Sequence, residues 1–429
     1  MRILLPLALM AAPAAPAAAQ DTPDPARLSA DVATLVGFGT RHTASTTTDP
    51  ERGIGAARRW AAERLGAIGE DCGGCIAVAN LARTFTGPRP PGGVEVVDVL
   101  GFQAGKDPKR VVIVQAHIDS INGDVMDTTG NAPGANDNGS GTALVLEAAR
   151  LLSREKFDAT IVYALLSGEE QGLWGGTLLA ETARERGWTV SAVLNNDIVG
   201  NSVGGDGTVH ADTVRVFSEG IRASEDADAA RSRRGIGGED DGPSRALAKS
   251  IDGIAATTGN LDVFVARRPD RFGRGGDHEP FLKLGYPAIR FSVAAENYTG
   301  QHQNVRTEDG VAYGDTPEKM DFAYLAKVTA LNVATLRRLA SAPAAPSSVT
   351  LDGALAYDTK VAWTAVPGAT RYRVHWRRND AQDWTDTRDV TGNEVTLPVI
   401  VDDHFIGVSA LSAGNAQSIV TFGQRAPRR

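Results

Sequence analysis

The apolar and polar positions of this chain change period along its length. Between residues 26 and 340, fully apolar runs alternate with stretches of helical spacing. Asp24-Pro25 opens an expected helix through about residue 38, and Pro50-Glu51 opens another through about 68. VEVVDVL (94–100) alternates as a strand. RVVIVQAH (110–117), TIVYALLS (160–167) and VSAVLNND (190–197) read as buried strands. TALVLEAARLLS (142–153) and LWGGTLLAETARERG (173–187) have helical spacing. Continuously apolar strands between helices predict an α/β fold with a largely parallel sheet covered on both faces. In such sheets reactive residues gather beyond the carboxyl ends of the strands.

Near residue 342 the pattern switches. SAPAAPSS (341–348) reads as a linker, and period-2 segments follow: KVAWTAV, YRVHWRR, EVTLPV and HFIGVSAL. They predict a small antiparallel β-sandwich over 343–429 with Trp363, Tyr372 and Val374 in its core. Trp363, the Pro-Gly turn at 367–368 and YRV (372–374) resemble a fibronectin type III module. His375 and His404 are expected on its surface.

The first 19 residues have Arg2, an apolar stretch, and Ala17-Ala18-Ala19 before Gln20. This is the pattern of a secretory signal peptide. Prolines at 6, 13 and 16 argue against a spanning anchor. The mature chain, with its α/β unit over 20–342, is expected to be exported, periplasmic or secreted, with no membrane span. In an oxidising compartment Cys72 and Cys75 of CGGC would pin a loop rather than run redox chemistry.

Charge enters next. The chain has 44 Lys+Arg against 52 Asp+Glu, a formal net charge of −8. That balance argues against nucleic acid as a partner. Two cysteines exclude a four-cysteine zinc site. The polar residues instead cluster at strand ends: AHIDS (116–120), GANDNGSG (134–141), SGEEQG (167–172) and NNDIVG (195–200). RGGDHEPF (274–281) and YTGQHQN (298–304) add His278 and His302.

Asp119, Asp137, Glu169, Glu170 and Asp197 in one crevice would repel severely without a cation. His117 and His302 supply the nitrogen donors that zinc favours. His117, Asp137, Glu170, Asp197 and His302 are too many for one tetrahedral ion and suit two metals sharing a carboxylate. Asp119, two residues from His117, is placed to accept the second imidazole N–H. Of the adjacent Glu169 and Glu170, one would ligate and the other act as general base. A calcium loop counted from Asp137 fails, because its sixth and twelfth positions hold Thr142 and Ala148.

As an ordered set, AHIDS, APGANDNGSG, SGEEQGLWGG, NNDIVGN, RGGDHEPF and the His302 loop resemble the co-catalytic zinc aminopeptidases. Their superfamily also holds glutamate carboxypeptidase and glutaminyl cyclases. The resemblance implies a mixed, mostly parallel sheet of about eight strands sandwiched between helices, and two zinc ions. It implies that His117 and Asp197 bind one zinc, Glu170 and His302 the other, and that Asp137 bridges. It implies Glu169 as general base, Asp119 as partner of His117, and a peptide substrate cut at its N-terminal bond. Gly276 stands where the family often has Ser, which leaves Asp277 and His278 as candidates to shape the substrate pocket, with His278 a fallback ligand. Tyr298 is the candidate carbonyl-polarising group. A carboxypeptidase, a one-zinc glutaminyl cyclase and a non-catalytic ectodomain are the rival readings. The charged run 225–245 is expected as a solvated loop, with a specificity lid as the alternative. Arg267, Arg268 and Arg271 are candidates for a substrate carboxylate. Oligomeric state is not legible in the sequence.

Overall fold

The computed structural model describes residues 22–426. The expected signal peptide lies outside the described residues. Helix α1 (Pro25–Gly37) begins where the Asp24 carboxylate accepts from the Ala26 N–H at 2.9 Å. Pro25 occupies its first position, where no intrahelical N–H bond is lost. Helix α2 (Gly53–Asp71) ends at a Cys72–Cys75 disulfide. CGGC thus closes the turn between α2 and the first strand.

The order continues β1 (Ile76–Phe85), β2 (Val94–Gln103), β3 (Asp107–His117), α3 (Gly141–Leu152), β4 (Ala159–Leu166), α4 (Glu169–Gly172), α5 (Trp174–Glu185) and β5 (Thr189–Asn196). Then come β6 (Thr213–Phe217), α6 (Ala227–Arg234), α7 (Pro243–Thr258), β7 (Asp262–Ala266), α8 (Glu279–Lys283) and β8 (Ala288–Val293). A short hairpin, β9 (Arg306–Glu308) and β10 (Val311–Tyr313), precedes the long helix α9 (Phe322–Ser341).

Eight strands form one mixed sheet in the order β1-β2-β4-β3-β5-β8-β6-β7. The four central strands β4, β3, β5 and β8 are mutually parallel. β4 is buried at every position, as its unbroken apolar run requires. Helices α1, α3, α7 and α9 cover one face through Leu28, Leu144, Leu247 and Leu325. Helices α5 and α8 cover the other through Leu179 and Phe281. Each such side chain taken out of water contributes about 1.5–3 kcal/mol, so two covered faces hold the central strands rigidly. Register sets His117 beside Leu166 and Gln115 beside Asn195. The chain therefore leaves β3, β4 and β5 at one common edge, and the strand-end residues share it.

The C-terminal part has β11 (Val349–Asp352), β12 (Thr359–Trp363), β13 (Arg371–Arg378), β14 (Asp386–Val390), β15 (Glu394–Leu397), β16 (His404–Leu411), β17 (Thr421–Phe422) and β18 (Gln424–Arg425). They form two four-stranded sheets, β15-β12-β11-β18 and β14-β13-β16-β17. Trp363, Tyr372 and Val374 are buried together, with the two rings 5.2 Å apart.

Three expectations change here. His375 is buried rather than on the surface, with Nε2 2.9 Å from the Ser409 hydroxyl. Its face of β13 is covered by Gln417, which in turn accepts from Arg338 of α9 at 3.1 Å. His404 is half-buried, with Nδ1 3.0 Å from the Ile400 carbonyl. The segment 341–348 packs down instead of spacing two bodies apart: Ala342 is buried, and Ile419 joins the same apolar cluster as Leu336.

The charged run 225–245 is solvated over its first half, as a helix rather than a loop, and packs down over its second half. It carries α6, and its following glycines lie against the sandwich. A side chain at Gly237 would collide with Phe405, and its φ of +67° already suits glycine. Arg377 of β13 pairs with Asp241 at 2.7 Å, both side chains being nearly inaccessible.

Candidate metal centre

Each functional side chain sits where a central strand ends. His117 is the last residue of β3, and Asp197 directly follows β5. Glu169 and Glu170 open α4 just beyond β4. Asp137 lies in the loop entering α3, and His302 in the loop after β8. Loops fed by adjacent parallel strands converge, so residues up to 185 positions apart meet in one crevice.

The geometry centres on Asp137. Its Oδ1 is 3.2 Å from His117 Nε2, and its Oδ2 is 3.0 Å from His302 Nε2. Asp197 Oδ1 lies 3.7 Å from His117 Nε2, and Glu170 Oε1 lies 3.1 Å from His302 Nε2. Two donor groups result, His117–Asp137–Asp197 and Asp137–Glu170–His302, each with atoms within 4.8 Å of one another. His117 also groups with Glu169 and Glu170 in the same way.

The electrostatics of the crevice favour positive charge. Burial alone would lower the His117 imidazole, but Glu169 and the adjacent carboxylates of Asp119, Asp137 and Asp197 hold it well above its usual value. His302 is likewise pushed up to about 11: burial opposes the shift, and Glu170 and Asp137 outweigh it. Asp137, buried, is held well below the usual carboxylate range by the two imidazoles. Glu169 goes the other way. Burial raises it strongly, and Asp197, Glu170 and Asp277 add to the rise against His117. These are the marks of carboxylates crowded around a place for a cation.

The residues fit zinc. His117 Nε2 is fully buried, has no hydrogen-bond partner among the described residues, and faces two carboxylate oxygens. Imidazole nitrogen and carboxylate oxygen are zinc donors, and the two groups share one carboxylate.

The loops are held from behind. The Asp315 carboxylate accepts the backbone N–H of Asn136 and of Asp137, the latter at 2.7 Å. Burial pushes Asp315 up to about 6. Buried Arg41 donates to the carbonyls of Ile118, Pro133 and Gly134 at 2.7, 2.7 and 2.9 Å, tying the loops of His117 and Asp137 together. A side chain at Gly141 would meet the Asn196 carbonyl, so glycine lets α3 start close beneath Asp197. Sequence reasoning passed over Arg41 and Asp315, since an isolated Arg and a Gly-Asp pair carry no periodic or motif signal.

Asp119 differs in detail from expectation. Its own carbonyl oxygen, at 3.1 Å, is nearer His117 Nδ1 than its carboxylate, at 3.6 Å. The carboxylate instead also accepts the N–H groups of Glu169 and Glu170 at 3.4 and 3.3 Å. It thereby couples the imidazole to the acid pair.

The remaining candidates sort by position. A cleft of about 410 Å³ opens onto Asp137, Glu169, Glu170, Asp197 and His302. Asp277 and His278 are buried behind it, and neither lines it. Asp277 accepts from the Gly176 N–H at 3.1 Å, and His278 Nε2 lies 2.8 Å from the Pro269 carbonyl. His278 is also outside the donor groups found among the described residues, so the fallback ligand role is not supported. Tyr298 is 64% exposed and outside the cleft lining, with Arg274 5.9 Å over its ring. The polarising role expected of it has no geometric support. Arg271 lines the cleft. Arg267 pairs with Asp240 at 3.4 Å, and Arg268 lies over the Phe272 ring, both away from it.

The sequence matches peptidase family M28 over residues 98–318, and this span contains all five metal-donor candidates. The chain belongs to that family. A probable zinc metalloprotease of Leptosphaeria maculans is 42% identical over 404 residues, covering 91% of this chain and 92% of that protein. Another, of Pyricularia oryzae, is 40% identical over 418 residues, covering 93% and 82%. Among solved structures, LapA of Legionella pneumophila superposes with a TM-score of 0.54 at 20% identity, covering 74% of this chain and 73% of that one. Glutaminyl cyclase of Porphyromonas gingivalis gives 0.51 at 18% identity, covering 74% and 99%. At such identities the M28 chain shares a fold with these structures, which leaves its reaction to be argued from its own residues.

Proposed function

We propose that this chain, a zinc metallopeptidase by family, is an exported two-zinc aminopeptidase that releases N-terminal residues from peptides. The observation that carries the reading is the placement of Asp137, one oxygen toward each of two imidazoles. His117, Asp137 and Asp197 would hold one zinc, and Asp137, Glu170 and His302 the other. Zinc bound there would act as a Lewis acid on a carbonyl oxygen and acidify water near neutral pH.

The chain's own groups do the rest. Glu169 lines the cleft beside both donor groups. It takes a proton from the attacking water and returns it to the leaving amine, a role suited to a carboxylate raised by burial. Asp119 keeps Glu169 and Glu170 oriented through their backbone N–H groups. The cleft of about 410 Å³ takes a small substrate, and Glu279 is the lining carboxylate left outside the zinc and general-base roles to meet an α-ammonium. The full five-donor set speaks against a one-zinc cyclase.

The N-terminal pattern and the Cys72–Cys75 disulfide support export. In this reading residues 20–342 are the peptidase unit and 343–429 a fibronectin type III-like buttress. Zinc analysis combined with chelator-sensitive hydrolysis of aminoacyl arylamides tests the proposal. The expected result is about two zincs per chain and cleavage only of substrates with a free α-amine. A chain that binds no zinc, or that cleaves only N-blocked peptides, overturns it.

A further inference from the structure

The cleft carries a charge pattern that peptide-bond hydrolysis alone does not use. Beyond the zinc-donor and general-base carboxylates, its lining holds Arg89, Arg271 and Arg274 against a single acid, Glu279. The two inner arginines are fixed by pairs behind the wall. Arg271, with 10% of its side chain exposed, engages Asp270 through Nε at 3.0 Å and the Gly275 carbonyl through Nη2 at 2.9 Å. Its Nη1 is buried without a hydrogen bond among the described residues, and Glu296 is 3.6 Å away. Arg274 pairs with Glu296, which also serves Arg215 at 3.0 Å. Asp270 is also shared, with Arg290 at 2.9 Å. Arg290 in turn lies 3.1 Å from Asp197 Oδ2. Asp270 and Glu296 are therefore over-subscribed by guanidinium groups. Once Asp197 is counted as a zinc donor, the wall facing the metal centre has an excess of positive charge.

We infer that the cleft selects substrates by a carboxylate seated on Arg271 and Arg274, and this assignment rests on the aminopeptidase reading for where in the substrate that carboxylate lies. Arg271 is locked by Asp270 and the Gly275 carbonyl with its Nη1 buried, and Arg274 donates to Gln301 Oε1 through Nη1 at 3.2 Å, so the two supply a fixed positive charge for a carboxylate, with Arg274, the more exposed, making the direct contact. An acidic side chain on the released residue and the terminal carboxylate of a short peptide present the same chemistry. Arg267 and Arg268, on the same segment, point away and take no part.

The test uses the zinc-loaded full chain and matched substrate pairs. Glu-arylamide against Gln-arylamide reads the side-chain source, and Leu-Ala against Leu-Ala-amide reads the terminal source. At least one pair should favour the carboxylate by about tenfold or more in kcat/KM, with a preference that shrinks as salt rises. Arg271→Met and Arg274→Gln should bring that ratio towards one, whereas Arg268→Gln should leave it unchanged. Because Arg274 is 35% exposed, its variant is the safer one for folding, and a melting curve and zinc content accompany each variant. Cleavage of Leu-arylamide with neither pair favouring the carboxylate overturns this inference and leaves the aminopeptidase reading standing. Cleavage confined to N-acetylated peptides overturns the aminopeptidase reading, and an N-acetyl-Leu-Ala acid and amide pair then decides the carboxylate question. A preference that survives in both Arg271→Met and Arg274→Gln overturns the assignment to this wall.

Discussion

His302 and His375 sit in regions of opposite character, and the imidazole responds accordingly. In the crevice, Glu170 and Asp137 overcome burial and push His302 up to about 11. In the sandwich, burial pushes His375 down to about 3, aided by Arg373 and Arg338. One ring sits among carboxylates that need a cation. The other is a neutral hydrogen-bonding piece between Ser409 and Gln417. In sequence His302 stands out only through the motif set its loop joins, and His375 carries no signal beyond its strand. What separates a candidate metal ligand from a structural histidine is the sign of the charge that the fold brings to it.

The contrast can be broken most severely at Asp137. Asp137→Ala should lose both zincs and all hydrolysis above background, as read by metal analysis; a variant that keeps two zincs rules out the bridge. Glu169→Ala comes next. It should keep about two zincs while kcat falls by roughly 10²–10⁴ or more. Loss of zinc with an unchanged rate per zinc would mean that Glu169 and Glu170 exchange roles. Asp119→Asn should be milder, weakening zinc about 10–100-fold in competition with a chelator, because it orients His117 and the Glu169–Glu170 backbone. Unaltered zinc affinity would reduce Asp119 to packing.

The sandwich side of the contrast is read in stability rather than in zinc or rate. His375 is neutral when folded but would titrate near 6.5 when unfolded. A depressed pKa contributes stability above the unfolded value and loses it as pH falls towards the folded one. Between about pH 6.5 and pH 4 the wild type should therefore lose on the order of 3 kcal/mol that His375→Gln does not lose. Melting curves across that range measure the difference, and parallel curves would assign the acid sensitivity to other groups.

Much of the centre was legible because a parallel sheet leaves a local trace. Apolar runs ending at His117, Leu166 and Asn196 announce strands, and polar residues just beyond them fall at one edge. The second layer left no such trace. Arg41 reaches carbonyls 77 to 93 residues away, and Asp315 clamps a loop 178 positions earlier. Their roles depend on contacts between distant segments. Asp277 and His278 sit in a motif that looks chemical, yet they lie behind the cleft. Residues 225–245 look solvated by composition, yet their second half docks the sandwich through Asp241 and Gly237.

Four of the eight strands of the large sheet, the order of the donors and a second β unit are legible in the amino-acid pattern, since period and strand-end chemistry are local properties. Packing settles which arginines face the cleft, which histidine stays neutral and how Asp137 is aimed between the two imidazoles. Those outcomes depend on electrostatic fields and close contacts, which arise only when loops far apart in the chain are packed into one low-dielectric space.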